Sequence, residues 1–365
     1  MTAGRTVFLC AALAASPAMA NDSIAELGTG GLILSRTDSI AMEKEELFIS
    51  ADAVRVDYVF RNQTDADVDA VVAFPMPAIE ASPYDMPAMP DDTSDNFLGF
   101  EATFDGKPVE PQLDQRAFAV GIDVTDALRK AGVPVNPFRE EARKALEGLS
   151  DETAQDWIAR GMIFIDTYDD GSGWKSVRTP LWSLRSAYWW RARFPASAAV
   201  KVHHSYRPSV GGSVGLNFFG DGKFQDQYAS YKTKYCMDGA FEKAVLRAAK
   251  NAPDGYPALA EQRIDYVLTT GGNWALGTIG DFRLTVDKGD PRNLISFCAP
   301  NVRKTGATTF EATAKDFYPA QDVAILILQP RDDGSRALPR AERKLDGAAK
   351  ALSERAARRG GLPTK

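Results

Sequence analysis

Between Glu46 and Pro77 the chain alternates apolar and polar residues with a period of two, and this period limits the fold more than any other feature. Val54, Val56, Tyr58 and Phe60 alternate with Arg55, Asp57 and Arg61. Further on, Val68, Ala70, Val72 and Phe74 alternate with Asp69, Val71 and Ala73. Successive side chains of a strand point to opposite faces, so the pattern predicts strands with one face on a core and one in water. We read two strands, Leu47–Arg61 and Val68–Phe74, folded back on each other. The polar run 62–67 between them carries Asn and Asp side chains that cap their own backbone, which makes it a turn. This hairpin points to a β-rich class and holds no catalytic constellation.

The first twenty residues have the grammar of an export leader: Arg5, a short apolar run over 7–15, and the small-x-small pattern Ala18-Met19-Ala20. The run is well short of the ~20 residues a membrane span requires. Cys10 lies inside the leader, in the wrong context for lipid attachment. We therefore expect cleavage after Ala20, a periplasmic or secreted location and no transmembrane segment. The formal net charge is −6, and the leader contributes one Arg and no acid, so the remainder is more acidic still. That balance argues against nucleic acid and anionic lipid as partners, because both require a basic face. Beyond the leader two cysteines remain, Cys236 and Cys298. An even pair in an exported chain reads as a disulfide, here closing a loop of roughly 60 residues. Metal thiolates would need further ligands, and the chain has only 2 His.

The remaining length exceeds one typical core, so two β domains are expected. Residues 21–120 form the first, with a Pro-rich loop over 75–92, and residues 121–165 a helical insertion. Within the insertion Ser150 is the expected N-cap of a helix that ends at Gly161, with Leu146, Leu149, Trp157 and Ile158 as its buried side chains. Residues 166–330 form the second β domain. In it Tyr188, Trp190, Ala192 and Phe194 share one strand face while Trp189, Arg191 and Arg193 share the other. The run Val323–Leu328 is apolar on both faces and is expected to be a central strand. One helix over 238–251, capped by Asp238, would be tethered by the disulfide. Residues 331–365 are a charged tail, helical or disordered. The fold class is thus mainly β, of the α+β kind: two β-sandwich-like units, a helical insertion and one disulfide-tethered helix.

Several stretches resemble a known family. They are N-D-S-x-A-E-L-x-x-G-G-L from Asn21, M-E-K-E-E-L-F-I-S at Met42–Ser50, V-R-V-D-Y-V-F-R-N leading to A-F-P-M-P, and I-S-F-C at Ile295–Cys298. They are similar to exported bacterial proteins known only as a domain of unknown function. The resemblance implies an exported, β-rich protein with this cysteine pair, and it supplies no catalytic residues.

The candidate chemistries are weak. Gly211–Gly215 matches the nucleophile-elbow pattern, but no helix pattern follows and the histidines lie upstream. His203 and His204 are adjacent on a strand and point to opposite faces, so they do not share a metal; His204 reads as a hydrogen-bonded core histidine. Asp166, Asp169 and Asp170 lack the spacing of a calcium loop, although a looser site with Asp91, Asp92 and Asp95 stays open. Met76, Met86 and Met89 lack the His or Cys support that copper needs. We assign no cofactor and no metal. The aromatics carry the remaining signal: Trp174, Trp189, Arg191 and Arg193 form a binding face if exposed, since Trp with Arg is hot-spot chemistry. Trp182 and Trp190 would otherwise be core, with Trp189 a bridge. The resulting expectation is a non-catalytic binding or scaffolding module of the envelope that recognises a protein or glycan. The alternative is an envelope hydrolase with paired carboxylates, marked by a buried acid of raised pKa beside a second acid in a cleft.

Overall fold

The computed structural model describes residues 21–28, 31–81, 87–250, 252 and 255–331. The leader, most of the charged tail and Met86 lie outside the described residues.

The chain is mostly strand, arranged in three main sheets. The largest has eight strands. From edge to edge they are Arg303–Lys304, Thr309–Phe317, Ile279–Asp287, Ile40–Ser50, Val54–Asn62, Ala199–Tyr206, Glu101–Phe104 and Lys107–Val109. The second has seven: Ile122–Asp123, Gln112–Ala119, Ser183–Phe194, Val68–Pro75, Ser23–Gly28 and Gly31–Ser35 in order, with Ile79–Glu80 also against Ser183–Phe194. The third has four strands, Gly211–Ser213, Leu259–Tyr266, Val323–Pro330 and Leu294–Phe297.

The expected alternation holds along the first strand of the opening stretch but not along Val68–Pro75, where Val72, Ala73 and Phe74 are all buried. Val54, Val56, Tyr58 and Phe60 are buried while Arg55 and Asp57 are exposed. The pairing is different from the expected hairpin. Leu47–Arg61 is two strands, because Ser50 N–H bonds the Ala53 carbonyl at 2.9 Å and turns the chain there. Val68–Pro75 does not pair with Val54–Asn62 at all; the two lie in different sheets. The run 62–67 is an arch between sheets. Asn62 Nδ2 donates to the carbonyls of Ala66 (2.8 Å) and Phe194 (3.0 Å), and its Oδ1 accepts from Thr64 N–H at 2.9 Å. Period two encodes which face of a strand is apolar, not which strand lies beside it.

The expected division at 121–165 does not separate two β units either. Strands from 21–120 and 166–330 interleave in both large sheets, and one hydrophobic cluster draws on all three sheets. Phe60 and Phe194 meet across the two large sheets at 6.2 Å, and Phe100 stacks on Tyr188 at 4.3 Å. Parallel pairing of Ile279–Asp287 with Ile40–Ser50 joins the two halves of the chain, setting Leu284 opposite Leu47.

Val323–Pro330 is interior to its sheet, as its doubly apolar sequence requires. Ile325 and Ile327 face the central cluster, whereas Leu326 and Leu328 face a second cluster under the helices Tyr228–Tyr235 and Gly239–Lys250. Full burial of each such side chain stabilises by about 1.5–3 kcal/mol. Asp238 caps the second helix, accepting from Phe241 N–H at 2.7 Å. Cys236 and Cys298 are bonded, with their Cα atoms 5.1 Å apart, and tie these helices to the strand Leu294–Phe297. The helix Tyr228–Tyr235 was not expected from sequence; its weakly amphipathic YASYKTKY gives no clear stripe.

The insertion forms three helices, Thr125–Lys130, Glu140–Glu147 and Asp151–Ala159, with Ser150 accepting from Thr153 N–H at 3.2 Å. Leu146 and Trp157 are buried, but Ile158 is exposed because the packed face follows Ala154 and Trp157. Ser213 lies on an edge strand with its hydroxyl on the Gly215 carbonyl, not on a strand-to-helix elbow. Asp169 and Asp170 cap the 170–173 turn of a two-stranded hairpin.

Two outcomes follow. Leu326→Ala should lower unfolding free energy by about 2–5 kcal/mol in urea melts. Thiol titration of the denatured, unreduced protein should find neither Cys236 nor Cys298 free, and their joint replacement by Ser should remove about 2–4 kcal/mol.

Candidate functional site

The outward face of the seven-stranded sheet carries a groove of about 730 Å³. It runs over the strands Ser23–Gly28, Val68–Pro75 and Ser183–Phe194, and its polar lining includes Glu26, Arg36, Asp69, Arg191 and Arg193. Strand parity explains the arginines: Tyr188, Trp190, Ala192 and Phe194 turn into the core, so Arg191 and Arg193 turn out. Arg193 is engaged, its Nε and Nη2 donating to Asp67 Oδ2 at 3.0 and 2.7 Å. Asp67 is held below the usual carboxylate range, first by the Ala196 N–H and then by Arg193. Arg191 is exposed and forms no ion pair among the described residues.

The four side chains read from sequence as a binding face are only partly brought together. Arg191 and Arg193 share the groove, and Trp189 is half-buried on the same strand face, opposite Ala73. Trp174 is 76% exposed but stands at the end of a separate hairpin, paired with Asp169. Trp182 and Trp190 are core, the former donating to the Val135 carbonyl at 2.8 Å. Met76 is buried and Met89 packs against the core. Asp95 pairs with Arg139 at 2.8 Å, and Asp91 caps Thr93 N–H at 2.9 Å. Among the described residues, no group of three or more His, Cys, Asp or Glu is placed to hold a metal ion.

A second polar assembly lies in the interior, where sequence reading placed only His204. Asn21, Asp22, Glu45 and His204 all have zero exposure. Asn21 Nδ2 donates to Glu45 Oε2 at 3.1 Å, Tyr58 OH donates to Asn21 Oδ1, and the Tyr58 and Tyr266 hydroxyls meet at 3.2 Å. Trp274 Nε1 donates to the Asp22 carbonyl at 2.7 Å. Burial pushes the Glu45 carboxyl up to about 8, partly offset by the Asn21 amide. Asp22 is pushed well above its ordinary value by burial and then by Glu45. Among the described residues, both Asp22 carboxyl oxygens and Glu45 Oε1 lack a hydrogen-bond partner.

His204 is in the core as expected, but it is not hydrogen-bonded. Both ring nitrogens lack hydrogen-bond partners among the described residues, and Nε2 lies 3.6 Å from Asp22 Oδ1, beyond hydrogen-bond reach. It sits in an aromatic box of Tyr58, Phe74, Phe100 and Trp190, with centroids 4.9–5.5 Å away. Desolvation, then His203, lowers its pKa to about 3. The pair Asp22–Glu45 has the raised pKa values expected of the acid in a carboxylate hydrolase. It is sealed in the core rather than open to a cleft, so no substrate reaches it. The one signal in sequence was the N-D-S opening of the resemblance, whose polar residues lead into the strand Ser23–Gly28.

The family model described as a domain of unknown function (DUF4424) matches residues 20–326. No curated protein matches the chain. Among solved structures, a Legionella pneumophila protein titled "putative nutrient binding protein" is similar at 14% identity and a TM-score of 0.40, over 85% of this chain and 70% of that one. No helix of the described residues is long and apolar enough to cross a membrane.

A depressed histidine pKa gives stability that is present above the unfolded value of ~6.5 and lost as pH falls toward the folded value. Between pH 7 and about 3, acid should therefore destabilise the natural protein more steeply than His204→Phe, as followed by urea melts at stepped pH.

Proposed function

The chain belongs to the family described as a domain of unknown function, DUF4424, and we propose that it is a non-catalytic binding module of the bacterial envelope. Its ligand is a carboxylate-bearing protein segment or glycan held in the groove over the seven-stranded sheet. The observation that carries this reading is Arg191, an exposed guanidinium without an ion-pair partner among the described residues, in a groove that also contains Arg36. A guanidinium recognises a carboxylate through two parallel N–H donors, which gives both energy and orientation. Arg193 is held by Asp67 and shapes the wall, while half-buried Trp189 offers an aromatic surface farther along the same strand face. Export after cleavage at Ala20 would put this face in the periplasm or outside the cell. Interior placement of Asp22 and Glu45 weighs against the hydrolase alternative, since catalysis needs a reacting group within hydrogen-bond reach of its acid and base.

Soluble peptidoglycan fragments, which carry peptide carboxylates, should raise the thermal midpoint if the ligand is a glycan, because a ligand of the native state stabilises by mass action. A protein ligand should instead give a crosslinked species in the intact envelope. Arg191→Glu should abolish either signal while leaving stability within about 0.5 kcal/mol, as for other exposed substitutions. Unchanged binding by Arg191→Glu would refute the groove as the site.

A further inference from the structure

The interior carboxyls lack a counter-charge. Asp22 and Glu45 have zero exposure, three of their four carboxyl oxygens have no partner, and no Lys or Arg among the described residues pairs with them. A buried polar group without a partner is destabilising, and an acid forced neutral in a core forfeits its solvation as well. Such a site is built for a cation, and the chain itself supplies one at the right atom.

Asn21 is the first residue after the expected cleavage point, and its backbone is fixed in the core. Its N–H donates to Thr270 Oγ1, and the Thr270 hydroxyl donates back to the Asn21 carbonyl at 2.7 Å. Its side chain lies 3.1 Å from Glu45, and the next residue is Asp22 itself. Gly271 makes the room: a Cβ there would stand 2.7 Å from Asn21 Nδ2 and 3.2 Å from Ile279.

We propose that this cluster is a receptor for the α-ammonium of Asn21, created when the chain is cut after Ala20. Water adds across the Ala20–Asn21 peptide bond in a leader-cleaving endopeptidase, leaving a carboxylate on Ala20 and, at neutral pH, an ammonium on Asn21. An amide offers one N–H and no charge, whereas the ammonium offers three donors and a positive charge to Thr270, Glu45 and Asp22. The titratable groups facing it are Asp22, Glu45, Tyr58, Tyr266 and His204. Because Asn21 is buried in the folded chain, the cut precedes docking of the strand Ser23–Gly28, and processing becomes a condition for the most stable fold. The inference rests on cleavage after Ala20 and is independent of the groove.

Two full-length chains decide the matter, one starting at Asn21 and one carrying a single additional Gly before it, each start verified by mass spectrometry. The Asn21 chain should show the higher urea midpoint at pH 7. Its advantage should fade as pH rises past the α-amino pKa of ~8, since an ammonium with a raised folded pKa stabilises below that value and is lost above it. Glu45→Gln should lower the midpoint of the Asn21 chain and leave that of the extended chain nearly unchanged. Equal midpoints for the two starts would overturn the proposal, as would an equal effect of Glu45→Gln on both. If Glu45→Gln does not fold, the comparison of starts still decides, because it alters no side chain. A start other than Asn21 on the exported protein would also refute it.

Discussion

Everything in this molecule depends on one aromatic core shared by three sheets. Phe60, Phe74, Phe194 and Tyr266 come from three different sheets, and each sheet buries one face only because the other two supply the opposing surface. Sheets pack this way because a face with apolar side chains at every second residue has no other means of leaving water. Val323–Pro330 shows the constraint at its limit: sheets lie against one of its sides and helices against the other, so both sides of its pleat are apolar.

Against that background the interior polar residues are an exception that needs a cause. Glu261, also at zero exposure, is satisfied by Asn217 N–H, Tyr231 OH and Arg263, and so behaves as an ordinary structural acid. Asp22 and Glu45 have no such escort. The contrast between these buried acids, one group fully partnered and the other not, separates a fold-holding network from a site that awaits a charge.

Much of the fold was legible in the sequence, for identifiable reasons. Strand faces were readable because burial imposes period two, as at Val200, Val202, His204 and Tyr206. The doubly buried Val323–Leu328, the caps at Ser150 and Asp238, and the Cys236–Cys298 bond were readable because each has a local signature. Strand partners were not. An arch and a hairpin both need a polar turn, and the run 62–67 serves either, so only the competition among sheets decides. Of the site, the outward turn of Arg191 was readable from parity, whereas the distance of Trp174 was not. The assembly around Asn21 was hidden because its members, Glu45, Tyr58, His204 and Thr270, meet only after the sheets close.

The parallel pairing of Ile279–Asp287 with Ile40–Ser50 has a consequence for how the chain comes into being. The central strand of the large sheet lacks one neighbour until nearly the whole polypeptide has emerged, and Thr309–Phe317 must follow before that edge is covered. No N-terminal half is complete alone, so folding during synthesis has no early resting place. A chain built this way closes its large sheet only once its late strands arrive.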